Sequence, residues 1–272
     1  MTRISPFRLA SAFALFLLVP FTVFARAPQP QTTTDPLAIL VERAGNHVSL
    51  FLDVISDVNC RERVLQEKLN GKGKTEEKAE STFDYLIMLS TTGGDFNLVE
   101  SRIVPEDAKQ TKKQSKPLLV SNGFSTLFLV FHPYYAPGFH FVLVGEEVLD
   151  GKTFTRVDFR HVVGMRSPAA LAVRGREYPL ELSGSAWIEA QSGTIAKITA
   201  NVESGMEDVG LLALRSEVRF APVAFHGSQE AFWLPARAVV EVESRHQHWR
   251  NTHQFSDYKK FSVETQEQIA KQ

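Results

Sequence analysis

Apolar residues return at alternating steps of four and three from Leu37 through Val41, Ala44, Val48, Phe51 and Ile55 to Val58. On a helix those positions share one face, while Glu42, Asn46 and Asp53 point elsewhere. Asp35-Pro36 supplies a capping side chain followed by proline at the first helical position. The spacing therefore predicts a helix over 36–59, with Gly45-Asn46 as the place where it can divide into two. The stripe is too short for a coiled coil and reads as a helix packed on an apolar surface.

From about residue 62 the period shortens to two. Arg63–Leu69, Phe83–Leu89 and Asp95–Glu100 are short alternating or apolar runs separated by Gly71-Lys72-Gly73 and Gly93-Gly94, the punctuation of strands and turns. After residue 139 strands dominate: Phe139–Val148, Thr153–Arg160, Ser185–Glu189, Ile195–Val202, Leu211–Ala221, Phe232–Glu243 and about Trp249–Val263. About ten strands in succession predict one large antiparallel sheet, and a sheet that wide curls. The expected fold class is α+β: a strongly curved antiparallel sheet, an incomplete β-barrel, with N-terminal and inserted helices covering its concave face.

Between these regions Gly123–Phe141 carries Phe124, Phe128, Phe131, Tyr134, Tyr135, Phe139 and Phe141. Phe124, Leu127, Phe128 and Phe131 fall on one face of a short helix that Pro133 ends, and Pro137-Gly138 marks a turn. Such a helix either plugs the core of the curved sheet or lines an apolar cavity for an acyl chain, where affinity comes from area removed from water. The candidate ligand-binding residues are Phe51, Ile55, Phe124, Phe128, Phe131, Tyr134 and Tyr135.

The first residues change the setting. MTRISPFR, the apolar run LASAFALFLLVPFTVF and Val23-Phe24-Ala25 form the three parts of a secretory signal, with cleavage expected after Ala25; an uncleaved anchor is the alternative. The expected division is a signal peptide at 1–25, a flexible Pro/Gln/Thr-rich segment at 26–35, a single domain at 36–265 and a tail at 266–272. The location expected is periplasmic or extracellular. Without Arg3 and Arg8 the 30 basic residues fall to 28 against 31 acidic ones, which gives no charge reason to bind nucleic acid. The sequence between 105 and 117 holds four lysines and reads as a solvated loop. Cys60 is the only cysteine, so no intramolecular disulfide forms, and a buried thiol is expected.

Catalytic patterns are absent: no His-Glu-x-x-His, no Gly-x-Ser-x-Gly, no phosphate-binding glycine loop. Ser256-x-x-Lys259 lies in or beside a predicted strand, where residues three apart face opposite sides. Glu241 and Glu243 share a strand face, as the polar side of an amphipathic strand does. His246 and His248 are the weak metal candidates. On a continuous strand His253 faces away from them, and a zinc site needs a third or fourth ligand. No cofactor is expected.

Trp187-Ile188-Glu189, the Ser192-Gly193 turn, Ile195-Ala196-Lys197-Ile198 and Trp233-Leu234-Pro235 resemble successive strands of the periplasmic outer-membrane lipoprotein carrier-like (LolA-like, lipoprotein-sorting) superfamily. The similarity covers about residues 80–262 and rests on strand texture. It implies an incomplete, curved barrel closed by helices. The function expected is a non-enzymatic envelope protein holding a lipid, an acyl chain or a lipoprotein between helices and sheet. The alternatives are an interaction, scaffold or sensor protein with a filled core and an envelope protein partner, and a metal-dependent hydrolase using His246, His248 and His253.

Overall fold

The computed structural model describes residues 35–92, 95–105, 123–173, 176–207, 210–225 and 231–261. The predicted signal and linker before residue 35, the lysine-rich segment from 106 and the tail lie outside the described residues.

Helix α1 spans Pro36–Ile55. The Asp35 carboxylate accepts the Leu37 N–H at 3.0 Å, a cap of the kind that contributes ~1 kcal/mol. The helix runs unbroken through Gly45-Asn46, and Val58 already belongs to the first strand. The face it buries is Leu40, Ala44, Gly45, Val48, Phe51, Leu52 and Ile55, turned slightly from the predicted stripe. Leu37 and Val41 are consequently only half-buried.

The strands are β1 (Val58–Leu69), β2 (Thr75–Thr92), β3 (Asp95–Ile103), β4 (Phe139–Leu149), β5 (Lys152–His161), β6 (Ala170–Val173), β7 (Arg176–Pro179), β8 (Leu182–Ile188), β9 (Ile195–Val202), β10 (Leu211–Ala224), β11 (Ala231–Ser244) and β12 (His248–Lys260). Ten of them form one antiparallel sheet in the order β3-β2-β1-β12-β11-β10-β9-β8-β5-β4. β6 and β7 make a separate two-stranded ribbon. The sheet is not closed, since β3 and β4 end the order without pairing.

Only one α-helix stands among the described residues, where helices in the plural were expected. The aromatic segment Phe124–Phe131 is a 3-10 helix, which His132 and Pro133 end. It touches α1, β9, β10 and β11, while α1 touches β1, β2 and β4. These elements share one core with one sheet face, including Val157, Phe159, Ala186, Ile198, Val218, Leu234 and Ala238. Gly45 is needed where α1 meets the 3-10 helix, because a Cβ there would stand 2.8 Å from the Phe131 carbonyl oxygen. On the opposite face Phe154, Trp187 and Ala196 form a second, smaller cluster.

Candidate functional site

The predicted aromatic residues fall into three groups. Phe51, Phe128 and Phe131 are buried together: Phe51 meets Phe128 edge-on at 4.7 Å and Phe220 at 6.3 Å, and Phe131 meets Phe159 at 6.2 Å. Ile55 lies in the same core. Tyr134 and Tyr135 follow the 3-10 helix as a half-buried pair 4.9 Å apart, with the Arg166 guanidinium 4.5 Å above the Tyr134 ring. The Phe124 side chain lies outside the described residues.

Between α1 and the sheet the void beside Phe51 and Phe128 measures only about 10 Å³, room for one water at most. Space opens farther along the helix. A shallow hollow, open to solvent, lies between the first turns of α1 and Phe141 of β4, lined by Leu37, Ala38 and Val41, with Asp35 and Glu42 at its margin. Phe141 is backed by Phe131 at 5.1 Å, so the hollow adjoins the aromatic core. Leu37 and Val41, displaced from the buried stripe, line it.

On the same sheet face, toward β3, lies a polar network that no sequence motif marks. Arg102 donates to both oxygens of Glu62, at 2.6 and 3.0 Å, and its Nη2 is 3.2 Å from Glu100. His253 Nδ1 is 2.7 Å from Glu62 Oε1, and the Gly123 N–H donates to Glu100 at 2.9 Å. The side chains of Glu62, Glu100, Arg102 and His253 are at most 8% exposed. Arg102 also lies 5.0 Å over the Tyr85 ring, and Gln66 and Asn251 are buried cross-strand partners nearby. Burial pushes the Glu62 carboxyl up, but the hydrogen bonds from His253 and Arg102 outweigh it and hold Glu62 below the usual carboxylate range.

The strand period accounts for this placement. Val58, Cys60, Glu62, Val64 and Gln66 alternate onto the buried face of β1. Antiparallel pairing then sets Val64 opposite His253 and Tyr85 opposite Arg102. The signal was present as a charged residue at the buried phase of an alternating strand, hidden by the flanking Arg61 and Arg63. Cys60 lies on the same face, and burial pushes its thiol up to about 12.

The histidine cluster divides by the same rule. His246 is exposed at the tip of the β11–β12 hairpin, while His248 bonds Glu241 at 2.6 Å and Arg250 reaches that carboxylate at 3.3 Å. His253 faces the core. Among the described residues no group of three His, Cys, Asp or Glu is placed to hold a metal ion. Nor is any described helix long and apolar enough to cross a membrane.

No protein-family model and no curated protein matches the chain. Solved structures similar to it include a DUF1329 family protein from Desulfovibrio piger, at 13% identity over 85% of this chain and 96% of that one, with a TM-score of 0.45. A putative outer membrane lipoprotein-sorting protein domain from Vibrio parahaemolyticus is 10% identical over 83% and 95% of the two chains, with a TM-score of 0.42. A LolA superfamily protein from Nitrosomonas europaea is 11% identical over 84% and 94%, with a TM-score of 0.35. The lipoprotein-sorting and LolA superfamily names among them are those toward which the strand texture of the sequence pointed.

Proposed function

We propose that this chain is an exported, non-enzymatic envelope protein that holds an acyl chain, a lipid or a lipidated protein between its helices and the inner face of a curved sheet. The observation that carries this is the shallow apolar hollow between α1 and β4, open to solvent and lined by Leu37, Ala38, Val41 and Phe141 beside the aromatic core. Its far wall is Phe141, which packs on Phe131 of the aromatic segment. Phe51, Ile55, Phe124, Phe128, Phe131, Tyr134 and Tyr135 then act as the inner wall that a longer chain displaces or extends along. Residues 1–25 direct export, 26–35 link, 36–265 form one binding domain and 266–272 trail it.

The test is binding of a fluorescent fatty acid to delipidated protein, with native mass spectrometry of protein as purified. Saturable binding that Val41→Asp abolishes is expected. No binding of any acyl probe, with no lipid carried through purification, overturns the reading.

A second reading rests on a different observation. β4 is an edge strand, and its Val142, Leu143, Val144 and Val148 are 43–68% exposed. An apolar edge of this kind offers main-chain hydrogen bonds to a strand from another protein. Pull-down from envelope extract with wild type and Leu143→Pro separates the two readings, because the proline blocks strand addition and leaves Val41 in place.

A further inference from the structure

The hairpin tip between β4 and β5 builds a second hollow, which shares no residue with the one beside α1. Asp150 and Gly151 both have positive φ, 49° and 80°, the backbone that a tight two-residue hairpin turn requires. The tip crosses the end of the sheet instead of extending away from it. Asp150 comes within 3.8 Å of Arg219 on β10, and Lys152 lies over Trp233 on β11, although β8 and β9 separate β5 from β10 in the sheet. A cleft of about 220 Å³ lies beneath, floored by Phe154, Ala196, Phe220, Pro222 and Trp233 and rimmed by Lys152, Lys197 and Arg219. For scale, a cavity of about 150 Å³ accepts benzene.

The rim is unbalanced. Lys197 and Arg219 share Glu217, at 3.1 and 3.0 Å. Lys197 is further fixed over the Trp187 ring at 4.3 Å. The remaining face of Arg219 is left to Asp150, whose side chain is 90% exposed and stands beyond hydrogen-bonding range. Lys152 has no carboxylate within ion-pairing distance among the described residues. Three cations therefore face two carboxylates around an aromatic floor, and the loosely held guanidinium and ammonium lie on the same side.

We propose that this cleft binds a small amphipathic anion, an aromatic carboxylate of one or two fused rings. Its apolar body lies on Phe154, Phe220 and Trp233, and its charge meets Lys152 and Arg219, displacing Asp150. A cationic ligand meets repulsion at the rim. A neutral one forfeits the charge-assisted hydrogen bonds.

Titration calorimetry of the full chain with indole-3-acetate and with its neutral counterpart indole-3-ethanol tests this. Indole-3-acetate binds saturably at one site, and the alcohol binds roughly tenfold or more weaker. Lys152→Glu and Arg219→Gln each weaken indole-3-acetate by a similar factor, and both positions are exposed enough to spare the fold. Ala221→Trp fills the cleft and abolishes binding, whereas Val41→Asp leaves it unchanged, which separates this site from the acyl hollow. Absence of saturable binding at millimolar concentration overturns the proposal. So does equal affinity for acid and alcohol, or full binding by the Ala221→Trp protein.

Discussion

Replacing Arg102 by methionine tests the buried network more sharply than any other single change. Methionine keeps an unbranched apolar stem and removes the charge. Glu62 and Glu100 then lose the guanidinium they share, in a place where their side chains are 0% and 3% exposed. Removing one partner of a buried ion pair costs about 3–5 kcal/mol, because a desolvated charge stays behind. For a domain of this size each kcal/mol shifts the melting temperature by about 2–4 °C, so Arg102→Met lowers it by roughly 6–20 °C at neutral pH.

The pH dependence carries a sign that packing loss alone does not produce. In the native protein Glu62 is held below its ordinary value, so its contribution is present above about pH 4.3 and is lost as pH falls through the folded value. In the variant, burial without the guanidinium raises the Glu62 carboxyl above its unfolded value. The variant then regains stability on acidification, as Glu62 takes up a proton. Melting followed by circular dichroism at about pH 7 and pH 5 should therefore show the gap between the two proteins narrowing at the lower pH. A gap of under about 2 °C at neutral pH, or one that widens with acid, refutes the reasoning.

Phe128→Ala removes a ring packed on Phe51 and should cost about 3–5 kcal/mol by urea denaturation, while enlarging the void beside α1 enough to admit an apolar probe such as benzene. Gly45→Ala drives a methyl into the Phe131 carbonyl and should destabilise by about 1–3 kcal/mol despite alanine's better helix propensity; a more stable variant would refute the close approach. Cys60, buried and with its thiol pushed up to about 12, should resist a soluble disulfide reagent in the native protein and react once urea unfolds it. Fast labelling under native conditions would show that β1 opens readily.

Much of the architecture was legible. Ile195–Val202 is a strand with the predicted bounds, and the predicted Phe139–Val148 and Thr153–Arg160 each differ by a residue or so at an end. Alternation of small, polar and β-branched residues is a local signal, and turn residues sharpen its limits. Strand order was not legible, because period alone does not say which strand lies beside which. The 3-10 geometry of Phe124–Phe131 also escaped, since so short a run of apolar positions three and four apart fits either helix. The face of α1 came out rotated because Gly45 admits the 3-10 helix closely, which draws Leu40 and Leu52 inward and leaves Leu37 and Val41 beside the hollow. The buried network was hidden for a related reason. Glu62 and Arg102 are unremarkable charges locally and become a pair only through the β1–β2–β3 register.

β12 is the splice in this sheet. It joins the three strands made first to the six that follow, pairing β1 on one side and β11 on the other. A chain growing from its N-terminus therefore carries two unjoined fragments until β12 is made. Closing them brings Val64 opposite His253 from far along the chain, and so distant a contact makes a slow search. In the meantime β1 presents a bare edge, with Glu62 waiting for its imidazole partner. A chain cut short before residue 248 would leave that edge open permanently, and the missing segment would be felt in the middle of the sheet, not at its margin.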